Sequence, residues 1–251
     1  MSDYIYGHWP VIEALKANRR KMEQLLIAEK SEERGAIGEI IQIATTRDVP
    51  IRRVPRHILN DLSNDANHQS VVLRTRAYPY VDVEDILAVA SERNERPFLL
   101  LLDLLQDPQN VGSLMRVADA VGIHGVIIQE RRAVGVTASV CAASSGAVEH
   151  LNVAQVTNLV NTMKDLKDHG IWMIGLDIGD DLLPIDKTKL DMPLGLVLGS
   201  EGDGMRRLVR ETCDMLLTLP MRGRVASLNV ATVGSTALYA AWQARGWEGW
   251  R

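Results

Sequence analysis

Five short apolar runs mark the second half of the chain, at residues 98–103, 125–129, 171–175, 194–198 and 215–219. None is long enough for a helix, and polar residues hardly interrupt them, as expected of strands buried on both faces of a parallel sheet. Helical spacing fills the gaps at 111–121, 137–148, 158–169 and 206–213. A last helix is predicted from about 230 to 245, with Val230, Val233, Ala237, Leu238, Ala241 and Trp242 on one face. Strand and helix alternate throughout, which predicts a parallel sheet with helices on both sides.

The first part reads differently. A helix is predicted at 11–15, a strand at 24–28, a helix at 37–45, and strands at 50–54 and 70–74; residues 61–68 read as turn and loop. This is a small α/β unit. Residues 78–97 look like a connector, broken by Pro79, with a short helix at 83–91 and a charged end. The expected organisation is one domain at 1–76, a linker at 77–97 and a second domain at 98–251.

Composition narrows the class. The chain has 251 residues, 46% hydrophobic and 24% charged, with one Phe, so its core must be mostly aliphatic. Cys141 and Cys213 have neither metal-ligand nor redox spacing and read as small buried hydrophobes. No signal-like start and no apolar run of membrane-spanning length is present, so the cytoplasm is the expected compartment and no membrane partner is expected. Net charge is −4, which does not announce a nucleic-acid binder. Residues 1–76, however, hold 12 Lys+Arg against 10 Asp+Glu, and the remainder 16 against 22. Basic clusters stand at Arg19-Arg20-Lys21, Arg52-Arg53 with Arg56, Arg74 with Arg76, Arg131-Arg132, Arg206-Arg207 with Arg210, and Arg222 with Arg224. Each alone reads as a solvated helix end or loop; several around a pocket would track phosphates.

Three loops follow apolar runs and carry the candidate chemistry: Asp107-Pro-Gln-Asn-Val-Gly-Ser-Leu-Met-Arg116, Val197-Leu-Gly-Ser-Glu-Gly-Asp-Gly-Met205 and Pro220-Met-Arg-Gly-Arg-Val-Ala-Ser-Leu-Asn229. In a parallel sheet all three gather at one edge, where such sheets bind ligands. Asn110 reads as the cap of the helix after the first loop, and Arg116 lies off that helix's apolar stripe. Glu201, in a Gly-rich loop, is either a helix-start charge or a placed acceptor. Ser227 and Asn229 read as caps of the last helix. No P-loop, dinucleotide fingerprint, zincin or nucleophile-elbow motif occurs, and the six histidines have no ligand spacing, so no metal is expected.

These residues resemble a known family. Asn110 through Gly122, Leu198-Gly199-Ser-Glu201-Gly202, and Pro220-Met221 through Ser227-Leu228-Asn229-Val230 are similar to the three motifs of the SpoU, or TrmH-type, branch of the SPOUT methyltransferases; Ser144 through His150 resembles the segment between the first two. Tyr6-Gly7, residues 11–15 and His68 through Val72 resemble the ribosomal-protein-L30-like RNA-binding domain that many members carry. Guanosine 2′-O-methyltransferases of large-subunit ribosomal RNA are the nearest match in kind. Ala231-Thr232, Ser70 and His8-Trp9 depart from the usual pattern.

The resemblance implies an α/β fold whose carboxy-terminal, parallel-sheet SPOUT domain holds a deep trefoil knot. It implies S-adenosylmethionine as cofactor, bound bent in that knot, and an obligate homodimer in which the partner chain completes each site. Gly199, Leu219 and Leu228, with Gly202 and Met221, would contact the cofactor. Asn110, Arg116, Glu201 and Asn229 match the family's catalytic and site-shaping positions. The implied reaction is methylation of a ribose 2′-hydroxyl, of guanosine in 23S ribosomal RNA. Transfer RNA, or an RNA-binding role without catalysis, are the alternatives. Arg116 is the family's candidate base, yet a guanidinium stays protonated. It either clamps a phosphate, leaving the proton to a phosphate oxygen or water, or stabilises the developing alkoxide; the clamp is favoured.

Overall fold

A computed structural model describes residues 2–179, 182–225 and 227–250. Ala226, within the third loop, and the chain ends Met1 and Arg251 lie outside the described residues. The chain forms two compact units: Met1–Pro79 together with Val136–His150, and Tyr80–Gly135 together with Leu151–Arg251.

The first unit contains β1 (Ser2–Tyr6), α1 (His8–Ala17), β2 (Met22–Ala28), α2 (Ala36–Thr46), β3 (Ile51–Val54), α3 (Arg56–Ser63) and β4 (Val71–Arg76). Its sheet runs β1-β4-β2-β3, antiparallel except for the β2–β3 pair. Gly7, at φ 91°, makes the turn into α1, and Pro10 falls in the first turn of that helix, where its missing N–H costs nothing. Sequence spacing misses β1 and α3. Residues 61–63, expected as loop, close α3, which has only Leu59 and Ser63 buried; two positions give no visible period.

The later segment of this unit carries α6 (Ala138–Ala143) and then a single 3-10 turn, Ala147–His150. The expected helix at 137–148 stops early because Ser145 and Gly146 take φ of 54° and 86°, outside the helical region. Here Arg20 and Glu149 form a fully buried ion pair, with Nη2–Oε1 at 2.7 Å and Nε–Oε2 at 2.9 Å. Arg20 is therefore not part of a solvated end, although the neighbouring Lys21 is exposed. Cys141 is buried as expected, but in polar company: its Sγ lies 3.4 Å from both Arg20 Nη2 and Glu149 Oε1. Burial, reinforced by the Glu149 charge, pushes the thiol above its ordinary range, so it stays protonated and donates to the carboxylate.

The second unit contains α4 (Val83–Glu92), β5 (Phe98–Asp103), α5 (Pro108–Ala120), β6 (Gly125–Gln129), β7 (Val153–Val156), α7 (Leu159–Asp168), β8 (Trp172–Leu176), β9 (Leu183–Pro184), β10 (Leu194–Gly199), α8 (Arg207–Thr212), β11 (Met215–Thr218) and α9 (Val230–Ala244). Within the expected connector, α4 starts at an Asp82/Asp85 capping box and buries Ile86 and Ala90. All seven strands are parallel, in the order β7-β6-β5-β10-β8-β11-β9. The short strands β7 and β9 have no apolar run and escape the sequence pattern. Every residue of β5, β6 and β10 is buried. Alternate side chains serve the two faces. Leu99, Leu101, Ile127 and Val197 pack with Ile86, Leu159, Met163 and Val209, whereas Leu198 faces α5 and α9. There Gly234 is required, because a Cβ would sit 2.4 Å from Leu114 Cδ2 and 2.5 Å from Leu198 Cδ1. Arg245 caps α9 at the far edge of the sheet. It donates to the carbonyls of Arg96, Pro97 and Met192 and lies over the Phe98 ring; burial lowers its pKa to about 10.

Strand order determines where loops meet. The chain leaves β5 toward β6 and β7, and then crosses to β8 on the other side, so β5 and β10 meet at the switch point. Their carboxyl ends pair in register, Asp103 with Gly199.

Glu149→Gln removes the buried counter-charge of Arg20, leaving the half-exposed Asp3 at 3.5 Å as its one carboxylate among the described residues, and should destabilise the protein by about 3 kcal/mol. The double substitution Arg20→Met, Glu149→Leu should recover most of that loss. Denaturant unfolding of the three variants checks both values. A second prediction concerns pH. Burial holds His68 and His124 below their ordinary value of 6.5, with Arg56 adding to the effect at His68 and Glu95 opposing it at His124. Each uses Nδ1 to accept a backbone N–H, from Ser70 and Phe98, and so must be neutral. The unfolded chain takes up these protons first. Their contribution is therefore complete above about 6.5 and is lost as the pH falls through the lowered folded values. A urea midpoint that stays level from about pH 7.5 to about pH 5 would contradict this.

Candidate active site

The loops after β8, β10 and β11 surround a cavity of about 480 Å³, within the range of small-ligand pockets. Leu176, Leu198, Leu219, Leu228 and Val233 supply apolar walls. Asp177, Glu201 and Asp203 supply carboxylates, and the 199–204 loop supplies backbone groups. Gly199, Gly202, Leu219, Met221 and Leu228, the five residues expected at a cofactor, all line it.

The 199–204 loop is a tight reversal. Ser200 and Gly204 exchange backbone hydrogen bonds of 3.1 and 3.0 Å, and Gly202 and Gly204 sit at φ 84° and 67°. Gly199 admits no side chain: its Cβ would lie 2.1 Å from the Gly204 carbonyl carbon and the Met205 nitrogen. Behind the loop, Asp103 is fully buried and accepts from the Arg206 backbone N–H and Nε, each at 2.8 Å, with Nη2 at 2.7 Å. Sequence spacing gave Asp103 no role beyond ending a strand; a carboxylate inside an apolar run was the available signal.

Three of the four expected catalytic residues come together. Asn229 Nδ2 donates to Asn110 Oδ1 at 2.9 Å and to Glu201 Oε1 at 2.5 Å. Asn229 Oδ1 accepts from the N–H of Ala231 at 2.8 Å and of Thr232 at 3.3 Å, which caps α9 as expected. The two backbone donors fix the amide orientation, so its NH₂ must face the other two acceptors. Asn110, by contrast, is not the cap of α5. Asp107 is, accepting from Gln109 and Asn110, with Pro108 in the first helical position. Asn110 therefore lies inside the helix with its side chain available to Asn229. Arg116 stands apart from the trio. It is exposed on α5, six residues past Asn110, or about 9 Å along the axis and on another face, and it does not line the cavity. Of the basic cluster Arg206-Arg207 with Arg210, Arg206 is held by Asp103, Arg207 by Glu211 at 2.9 Å and Arg210 by Asp177 at 2.6 Å. Among the described residues no group of three His, Cys, Asp or Glu could hold a metal ion, and no helix is long and apolar enough to cross a membrane.

Fold and site define a two-unit α/β protein with a ligand cavity at the carboxyl edge of a parallel sheet. The model of the SpoU rRNA methylase family matches residues 97–239, and that of the RNA 2′-O ribose methyltransferase substrate-binding domain matches 4–81. The chain belongs to the SpoU, or TrmH-type, family of RNA methyltransferases. It is 45% identical to a Bacillus subtilis protein named as a TrmH family tRNA/rRNA methyltransferase, YacO, over 97% of this chain and 96% of that one. A Staphylococcus saprophyticus protein named in the same way is 38% identical over 98% and 97%. The crystal structure of the SpoU methyltransferase AviRb from Streptomyces viridochromogenes, in complex with AdoMet, shares the fold: TM-score 0.80 at 23% identity, covering 97% of this chain and 90% of that one.

Asn229→Ser keeps a capping oxygen but removes both amide donors. Folding stability should fall by no more than about 1 kcal/mol, while backbone amides of the 200–204 loop should exchange with solvent markedly faster. Hydrogen exchange followed by mass spectrometry, beside a thermal melt, reads the two effects separately.

Proposed function

We propose that this protein transfers a methyl group from S-adenosylmethionine to the ribose 2′-hydroxyl of a guanosine in 23S ribosomal RNA, acting as a homodimer in the cytoplasm. The observation that carries this reading is the Asn110–Asn229–Glu201 network at the rim of the cavity formed by loops 199–204 and 219–229. The lining fits a cationic nucleoside: leucines flank a base, loop backbone groups meet polar edges, and the Glu201 and Asp203 carboxylates offset positive charge. When bound, the cofactor supplies an electrophilic methyl carbon on a leaving group.

The chain's own residues then have two tasks, orientation and proton handling. Gly199, Gly202, Leu219, Met221 and Leu228 hold the donor. Glu201 and Asn110, fixed through Asn229, present preorganised polar groups to the incoming sugar, and such positioning alone is worth several kcal/mol. Arg116 clamps a phosphate of the RNA rather than acting as a base, since its guanidinium keeps its proton. Its distance from the trio supports a site that the partner chain completes. Residues 1–76 serve as the RNA-binding domain and 98–251 as the knotted methyltransferase domain, joined through 77–97; helix α4 of that joining stretch packs with the second unit, and 136–150 pack with the first. The match of a substrate-binding model to residues 4–81 supports a large RNA target.

The test is transfer of a radioactive methyl group to purified large-subunit ribosomal RNA and to bulk transfer RNA, with the labelled nucleotide mapped. Label on one ribosomal guanosine 2′-oxygen is expected; label on transfer RNA alone would move the substrate. A monomer that labels neither and gives no heat with S-adenosylmethionine would overturn the reading. In the same assay Arg116→Lys should lose at least tenfold in rate, because an ammonium cannot replace a bidentate clamp.

A further inference from the structure

The carboxyl edge of the second unit holds a larger cavity, of about 840 Å³, that the Asn110–Asn229–Glu201 network does not use. Gln129, at the end of β6, lines it together with Lys164 of α7, and with Arg206 and Arg207 where α8 begins. Lys164 is exposed and makes no ion pair or hydrogen bond with any described residue. Arg206 is already ordered by Asp103. Among the described residues, Arg207 pairs only with Glu211, one helical turn on, in a solvent-exposed bridge of the kind worth little to stability. An incoming anion displaces that carboxylate at small cost.

The cavity adjoins the catalytic network. Leu104 donates its backbone N–H to Gln129 Oε1 at 3.0 Å. Leu104 also lines a smaller cavity, of about 320 Å³, whose wall includes Asn110 and Glu201. Gln129 thus lines one cavity and is hydrogen-bonded to the wall of the next. No lining residue of the larger cavity is aromatic, so it offers no surface on which a base could stack. Its chemistry suits a phosphodiester.

We propose that this cavity is a phosphate subsite for the RNA backbone beside the target nucleotide, with Lys164 and Arg207 as its contacts. The proposal rests on the reading of the protein as an RNA methyltransferase. Lys164 and Arg207 guide the strand toward the Asn110 and Glu201 wall while taking no part in the transfer itself.

The test uses Lys164→Ala, Arg207→Ala and the double variant of the full-length protein. Binding to a large-subunit ribosomal RNA transcript is measured over a salt series, with KM and kcat for transfer measured beside it. The double variant should raise KM and the RNA dissociation constant roughly tenfold or more. The slope of log affinity against log salt should shrink by about 0.7 for each contact removed. S-adenosylmethionine affinity and kcat should hold, as both side chains are exposed and neither lines the cofactor cavity of about 480 Å³. Glu211→Ala, which frees Arg207, should tighten RNA binding. Unchanged RNA affinity and salt slope in the double variant would overturn the subsite. If the wild-type protein binds the RNA but transfers no methyl group, the function reading fails instead, and the salt slopes still judge the subsite.

Discussion

The buried carboxylate of Asp103 is the point on which the site depends. It ends a strand that is otherwise wholly apolar, and burying a charge there is costly unless it is fully paired. Arg206 meets it with one backbone and two side-chain donors. Such charge-assisted bonds are the strong ones, and they pin the return of the 199–205 chain to the end of β5. The other side of the loop is fixed sterically, because Gly199 lies against the Gly204 and Met205 backbone with no room for a Cβ. Anchored at both ends, the short segment between them presents Glu201 in one place although it is itself exposed.

Asn229 then turns three separate elements into one arrangement. Helix α9 needs a cap in any case, and its acceptor oxygen supplies one. The orientation that this forces leaves two donors, which reach α5 through Asn110 and the Gly loop through Glu201. A structural requirement of the helix thus orients a polar network at no further conformational cost. Behind it, Leu198 and Gly199 of the wholly buried β10 and Leu176 of β8 supply part of the cavity wall. Rigid scaffold, pinned loop and oriented amide form the preorganisation that a transfer reaction needs.

Much of this was legible in the sequence because the physics is local. Uninterrupted runs such as 98–103 can hardly be anything but buried strands, and loops that follow parallel strands must share an edge. The capping role of Asn229 also follows from neighbouring residues. Where contacts are distant, spacing was silent or misleading. Asn110 resembled a cap, yet Asp107 with Pro108 fills that role more favourably. Arg20 looked like part of a solvated cluster, but its partner Glu149 lies 129 residues away. The same contact draws residues 136–150 into the first unit, which no composition shift announces. Strands β7 and β9 depend on pairing with neighbours and carry no pattern of their own.

Charge shows the same limit of local reading. A net −4 argues against an RNA partner only if charges act as a sum. In this chain the cations differ sharply in what holds them. Arg20 is buried against Glu149, and Arg206 is committed to Asp103. Arg207 rests on an exposed glutamate, and Lys164 has no described partner. Only the last two kinds are free to exchange with an external anion, because a surface pair costs little to break and an unpaired lysine nothing. Affinity for a polyanion is therefore set by where the weakly held cations lie. Lys164 and Arg207 line the same cavity at the carboxyl edge together with Glu211, and the fields of acidic residues farther off are screened within about 8–10 Å at ordinary salt.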